Sequence, residues 1–486
     1  MKFHDLLLKP VWQGEELGRA IPPSPHAVSV ALPRWQDVVG YEEKLPAVMD
    51  RLESGYPRFV IHRLVREVAD ALAGGRPCLP FPSRRAAEMA ADFARRTSGA
   101  EMEIVTRDGL CGVATTEPGF AALKNFWQHT GLIVSTRQAE AFLAGHAEDG
   151  DAPLVRASLR RQLASFYHCA EADVFLTPTG MAAQFAALRA VMERRPGRPT
   201  AQLGFPYLDT LKLQEKFGVG ATLLHDLARL PEDLRALLKH QPLAACFCEI
   251  PGNPLLGSAD VRRLSPLLRE HRVPLVADDV VSTPVNVDLT RYADLTATSL
   301  TKFIAGSGDV MGGALICNPR SPHHAGLRAI VRAQHEELLW GADATVLDTQ
   351  ASTFPHRMRR HNANGLFIAE RLRQHPAVER VWYPKWENRE AYEAVRRATG
   401  GWGALITFLP KNAATTAPLI YDRMVVCKGP SLGTTFTLAC PFTLLAHYTE
   451  LDWAESCGVS RYLIRLSVGL EEPEELWRRL AQALNH

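Results

Sequence analysis

The stretch VPLVADDVVSTPVNVDLTRYADLTATSLTKFIAGSGDVMGG, residues 273–313, decides the fold. Within it, VPLVADDV (273–280) and ADLTATSL (293–300) are short, apolar and rich in β-formers. Runs of this kind, bounded by turn residues, are strands buried on both faces, as in a parallel sheet covered by helices. The earlier run LAACFCEI (243–250) has the same character, and a helix through VRRLSPLLREH, with Ser258 as its expected cap, separates the two. Alternation of such runs with helical patterns from about residue 150 onward predicts the α/β class, a mostly parallel sheet flanked by helices. From about 346 the pattern changes to a long helix, RRHNANGLFIAERLRQH, a strand-like GWGALITFLP and a final helix after Glu472, which predicts a smaller α+β domain. The first 150 residues mix Pro-rich pieces, AIPPSPHAV and PCLPFPSRR, with a helical VIHRLVREVADALAG. The expected organisation is therefore 1–150, 151–345 and 346–486.

The rest of the composition narrows the function. At 486 residues and 46% hydrophobic, the chain has the apolar content of a globular protein with more than one domain. With 55 Lys plus Arg against 53 Asp plus Glu, no net field draws it to nucleic acid or to an anionic membrane, so small-molecule chemistry is expected. Nine cysteines without a repeated CxxC read as buried free thiols, which suits a reducing cytoplasm, and no metal site is expected. The N-terminal MKFHDLLLKPVWQGEE has too short an apolar core for a signal peptide, and no run reaches the ~18 apolar residues of a membrane span.

Lys302 stands among hydroxyls and glycines. Ser299 and Thr301 lie two apart at a strand end, where both hydroxyls are expected on one side, while Gly306, Gly308, Gly312 and Gly313 permit tight backbone approach. GSGDVM lacks the third glycine of a dinucleotide fingerprint, and no P-loop occurs. A solvated lysine in a glycine turn is the plain alternative. In FLTPTGMAAQFAALRAVMERR a strand meets Thr179-Gly180 and then a helix with Met181, Phe185, Leu188 and Met192 on its apolar face. Such a helix start binds anions through unpaired N–H groups and the helix dipole, although many such junctions are mere connections. Asp278 and Asp279 end the PLVADD strand at the carboxyl edge of the sheet, where ligands of open α/β sheets bind; Asp279 is expected only to cap a turn. A phosphate seat, a buried acid and a lysine together fit pyridoxal 5'-phosphate: an imine-forming amine, and an acid to keep the ring nitrogen protonated.

Taken in order and spacing, these motifs resemble the Cys/Met-metabolism family of pyridoxal-phosphate enzymes, which includes cystathionine γ-synthases, cystathionine and methionine lyases and homoserine sulfhydrylases. The resemblance implies an aspartate-aminotransferase-like fold of type I, with a seven-stranded sheet. By SLTKFIAGSGDVMGG it makes Lys302 the Schiff-base lysine and assigns Ser299 and Thr301 to phosphate; TGMAAQ adds Gly180 and Met181. FPYLDT supplies Tyr207, stacked on the ring and assisting proton transfer, EIPGNPLL supplies Asn253, and VADDVVSTP supplies Asp278 for the pyridine nitrogen. PSLGTTFTL and YLIRLSVGLEEPEEL are similar to the substrate-carboxylate region, so Arg465 would clamp the carboxylate with Ser431 nearby; alone, Arg465 reads as a strand-edge arginine.

In the family, a Tyr-x-Arg segment matched here by Tyr56 and Arg58 crosses to a neighbouring subunit, which implies a homodimer at least and usually a homotetramer. Tyr56 and Gly180 are 124 positions apart, farther than in typical members, so an insertion is expected within 65–145. The long form, with HAVSVALPRW, VGYEE and GYPRFVIH, resembles the fungal-type cystathionine γ-synthases and implies γ-replacement on an O-acylhomoserine by cysteine. The shared catalytic motifs leave open a cystathionine or methionine lyase, an O-acetylhomoserine sulfhydrylase and a non-catalytic homologue that binds a partner.

Overall fold

In the computed structural model, which describes residues 5–485, the strands form three sheets from three successive stretches of chain. The first is antiparallel, in the order β1-β3-β2, with β1 at Cys78–Phe81, β2 at Glu103–Arg107 and β3 at Leu110–Ala114. The second holds β4 (Val174–Thr177), β5 (Thr200–Leu203), β6 (Ala221–Leu224), β7 (Cys246–Glu249), β8 (Leu275–Asp278), β9 (Leu295–Ser299) and β10 (Gly313–Cys317). Its order is β4-β10-β9-β8-β7-β5-β6, and only β10 runs against its neighbours. The third contains β11 (Val378–Trp382), β12 (Leu405–Pro410), β13 (Cys427–Lys428), β14 (Leu438–Pro441) and β15 (Ile464–Ser467), ordered β11-β12-β15-β14-β13. The α/β class and the mostly parallel seven-stranded sheet agree with the sequence expectation.

Burial on both faces explains the apolar runs. Phe247 of β7 and Val276 of β8 enter one hydrophobic cluster, whereas their neighbours Cys246, Cys248, Leu275 and Ala277 enter another. Successive side chains leave opposite faces of a strand, so a sheet with helices on both sides wants apolar residues at every position.

The helix Gly180–Arg194 is capped by Thr179, whose hydroxyl accepts from Ala182 N at 3.0 Å. Ser258, by contrast, does not cap the helix after β7. That helix spans Val261–Glu270 and is capped by Asp260, whose carboxylate accepts from Arg263 N at 3.2 Å, because a cap must directly precede the first helical residue. A helix of 34 residues, Gly341–Gln374, links the second and third sheets and runs through positions 345 and 346. Its Arg357 donates to the carbonyls of Phe303 and Ile304 at 2.9 and 2.6 Å, which pins the loop after Lys302.

The N-terminal third packs onto the same scaffold. The helix Arg63–Ala73 closes on Gly74 in the left-handed conformation, and Glu117–Thr130 follows β3. Phe126 of the latter meets Phe185 edge-on at 6.2 Å and Phe217 at 5.8 Å, so the first sheet shares a core with the helix that begins at Gly180.

Candidate active site

The cleft shows in the pattern of exposure. Gly180, Tyr207, Asp278, Ser299, Lys302 and Ser431 are partly exposed, yet each adjoins stretches that are otherwise buried. All but Ser431, which belongs to the loop between β13 and β14, follow or end a strand of the seven-stranded sheet at its carboxyl edge, where the helix N-termini and their unpaired N–H groups also gather.

Gly180 opens its helix directly against Ser299. A Cβ placed on Gly180 would lie 2.7 Å from Ser299 Cβ and 3.2 Å from its Oγ, so a bare backbone and one hydroxyl make a concave anion seat there. Gly313 permits the same closeness from behind, since a Cβ on it would lie 2.2 Å from Thr179 O. Met181, buried, backs the seat. Thr301 is placed differently from the expectation. Its hydroxyl bonds Gly312 N at 3.1 Å and Gly312 O at 3.3 Å, because β9 ends at Ser299 and the two-residue alternation does not continue past it.

Lys302 Nζ donates to Ser431 Oγ at 2.8 Å and lies 4.4 Å from the centre of the Tyr56 ring. Burial first, then the cations Arg465 and Arg58, push its amine well below the ordinary lysine value. Ser431 holds a positive φ of 94°, an uncommon conformation for a residue with a Cβ, and its carbonyl accepts from Arg465 Nη2 at 2.8 Å. The other Arg465 nitrogen, Nη1, donates to Asn253 Oδ1 at 3.2 Å. Arg465 lies on β15 between β12 and β14, 6% exposed, so it is not a strand-edge arginine. Both of these partners are neutral, which leaves a buried guanidinium without a carboxylate among the described residues.

Asp278 Oδ2 accepts from Gln184 Nε2 at 2.9 Å, and Oδ1 from Val280 N at 2.8 Å. Gln184 sits one helical turn after Gly180, so one helix serves both the anion seat and the acid. Burial raises Asp278 to about 6, and burial plus the charge of Asp278 raises neighbouring Glu249 to about 8. Glu249 accepts from the backbone N–H groups of Tyr207 and Asn253 and so joins two site loops. Asp279 is not a turn cap. It is 1% exposed, takes a hydrogen bond from Tyr167 at 3.1 Å, and is raised to about 7 by burial and then by Asp278.

The resemblance carries Tyr56 and Arg58 to a neighbouring subunit; within this chain they lie beside Tyr207 and Lys302. Arg58 donates to Asp209 at 2.6 Å and to the Tyr207 hydroxyl, and Trp127 Nε1 holds Pro57 O at 3.2 Å. The inserted helix Glu117–Thr130 clamps the segment in place, because that helix packs on the same chain's Gly180 helix. Sequence reading missed Gln184, Asp209, Glu249 and Gln128. Only Gln184 carried a signal, four residues along the helix face from Gly180.

A lysine amine whose charged form burial disfavours, an anion seat at a helix start, a buried acid, and an arginine with no carboxylate partner among the described residues define an enzyme that works on amino acids through pyridoxal phosphate. The donor set fits that cofactor: the start of the Gly180 helix, capped at Thr179, stands directly against the Ser299 hydroxyl, which is the pairing of helix N-terminus and hydroxyl that a phosphate takes. Residues 152–485 match the family model described as Cys/Met metabolism PLP-dependent enzyme, and residues 60–135 match the fungal trans-sulfuration enzyme N-terminal domain. The chain belongs to the Cys/Met-metabolism family of PLP-dependent enzymes.

It is 33% identical to a cystathionine gamma-synthase of Neurospora crassa, over 96% of this chain and 98% of that protein. It is 35% identical to the L-2-amino-4-chloropent-4-enoate dechlorinase/desaturase of Streptantibioticus cattleyicolor, over 94% of this chain and 95% of that protein. A crystal structure of cystathionine gamma synthase from Xanthomonas oryzae pv. oryzae, in complex with cystathionine, superposes with a TM-score of 0.60 at 25% identity, covering 68% of this chain and 85% of that one.

Proposed function

We propose that this chain is a cystathionine γ-synthase-type transferase that joins the sulfur of L-cysteine to the γ-carbon of an O-acylhomoserine, giving L-cystathionine. The observation that carries the reading is the pairing across Ser431. Its hydroxyl holds the Lys302 amine and its carbonyl holds Arg465, so an amino acid's carboxylate and Cα fall within reach of both. Gly180, Met181 and Ser299 would hold the cofactor phosphate, Asp278 the ring nitrogen and Asn253 the phenolic oxygen, while Thr301, bonded to Gly312, keeps the lysine loop closed.

When bound, pyridoxal phosphate supplies the sink for charge that develops at the substrate Cα. Arg465 fixes the α-carboxylate and thereby turns one Cα bond toward Lys302. Lys302 Nζ takes the Cα proton and passes protons between Cα and Cβ. Tyr207, kept protonated by burial, gives or takes a proton near the γ-substituent, which leaves as a carboxylate before the thiol adds.

A second reading has support in the Streptantibioticus cattleyicolor relative, whose named substrate carries chlorine on carbon 4, the γ-position. Loss of a γ-substituent without replacement would use the same residues. Purified enzyme given O-acetyl- or O-succinylhomoserine plus cysteine should yield cystathionine; keto-acid release with no cystathionine overturns the synthase assignment in favour of elimination.

The seven buried cysteines and two partly buried ones, all free, suit a reducing compartment, the cytoplasm. Among the described residues no helix is long and apolar enough to cross a membrane. A homodimer or homotetramer is the assembly that the family resemblance supports. The division into 1–150, 151–345 and 346–486 is supported by the three sheets, one per segment.

A further inference from the structure

The inserted domain reaches the cleft at a single buried carboxylate. Asp209, in the first turn of the helix Leu208–Phe217, has a side chain 4% exposed. Its Oδ2 accepts from Arg58 at 2.6 Å and from the Tyr207 hydroxyl at 3.1 Å. Its Oδ1 accepts from Gln128 Nε2 at 3.2 Å, and His129 Nδ1 lies 3.3 Å away. Gln128 and His129 end the inserted helix Glu117–Thr130, and His129 Nε2 faces Lys216 at 2.9 Å. One oxygen therefore points to the reacting side of the cleft and the other to the insertion. The Arg58 guanidinium also lies 5.8 Å from the Tyr207 ring, so arginine, tyrosine and aspartate form one connected cluster.

We propose that Asp209 is a positioning residue for the reaction: held by Gln128 of the inserted domain, with His129 of the same helix facing it, it fixes the Tyr207 hydroxyl and the Arg58 guanidinium on the Lys302 side of the cleft. The insertion is thereby part of the active-site architecture. The inference rests on the reading of Lys302 and Tyr207 given under Proposed function.

Charge and geometry agree. A carboxylate bound by an arginine and a tyrosine aims a hydroxyl that has only one rotatable O–H bond, and it neutralises a cation that would otherwise raise the positive field at Lys302. The titratable groups around Asp209 are Arg58, Tyr56, Tyr207 and His129, with Lys216 and His447 farther out. Among them Asp209 is the carboxylate, so its removal shifts the local balance in one direction, toward positive.

The test uses the enzyme loaded with pyridoxal phosphate. Asp209→Asn keeps the shape and removes the charge; the double variant Gln128→Ala/His129→Gln leaves the carboxylate and removes its support. In Asp209→Asn, kcat should fall about 10- to 100-fold while KM changes far less, a fraction of what general acid–base catalysis supplies. Without substrate, the cofactor's visible band should titrate at lower pH, because the extra positive field favours loss of a proton at Lys302. The double variant should move both readouts in the same direction by a smaller amount. Wild-type kcat with an unshifted titration in Asp209→Asn overturns the proposal. So does a double variant that behaves as wild type, which decides the matter if Asp209→Asn does not fold. A wild-type enzyme that takes up pyridoxal phosphate without engaging Lys302, judged by the absence of a borohydride-fixed adduct, would instead sink the reading of the site itself.

Discussion

Replacing Gly180 by alanine tests the anion seat most directly. The added methyl would sit 2.7 Å from Ser299 Cβ and 3.0 Å from its Cα, well inside van der Waals contact, so either Ser299 or the helix start must shift. Overpacking by one methyl costs about 1–3 kcal/mol. At about 1.4 kcal/mol per decade, that corresponds to a cofactor dissociation constant raised roughly 5- to 150-fold if the phosphate occupies the seat. The fold meets the same contact, so urea unfolding of the apo-protein should show a loss of up to about 2 kcal/mol. Gly180 is the first residue of its helix, at ordinary φ, and alanine is favoured over glycine inside helices by about 0.5–1 kcal/mol, which offsets part of the steric cost. The assay is titration of the apo-enzyme with pyridoxal phosphate, followed by absorbance, alongside urea unfolding of the apo-protein. Gly150→Ala, at a position where a Cβ meets nothing within 4 Å, is the control. Unchanged affinity in a folded Gly180→Ala protein would refute the assignment of this pocket to the phosphate.

Mixing Lys302→Ala with Arg58→Ala subunits, under conditions that exchange subunits, should restore no activity, because each chain completes its own site; recovery toward about a quarter of wild type would show that Arg58 serves a neighbour. Asp279→Asn should stabilise the protein at pH 8 by on the order of 1–4 kcal/mol in chemical unfolding, since a carboxyl raised to about 7 from an ordinary 3.8 is buried as a charge there. The sign follows from linkage: the raised value makes the wild-type group's contribution most favourable below pH 4 and removes it as pH rises through 7, so the gain from asparagine should shrink by pH 5. Arg465→Lys should lower kcat/KM about 10- to 100-fold, because a single ammonium replaces a fork and one charged hydrogen bond is worth about 1.5–3 kcal/mol.

Much of this protein was legible from local pattern. Buried parallel strands demand apolar residues at successive positions, and so the runs at 243–250, 273–280 and 293–300 betrayed β7, β8 and β9 without any partner being known. Lys302, Asp278 and Gly180 stand out in the sequence because their chemistry is tied to strand ends and helix starts, which sequence punctuates, whereas Arg465, inside a strand, stands out only through the family resemblance. What failed did so for reasons of geometry. Thr301 lay just beyond the point where strand alternation stops, Ser258 lay two positions before its helix could use it, and Asp279 faces Tyr167 across more than a hundred residues of chain. The destination of Tyr56 and Arg58, and the meeting of Gln128 with Asp209, depend on how the inserted domain packs against the Gly180 helix. Residue order alone marks which side chains can do chemistry, because residue type and local period fix side-chain function and secondary structure. Only the tertiary structure decided which of them meet, because contacts between distant segments are set by the packing of whole elements rather than by the order of residues within them.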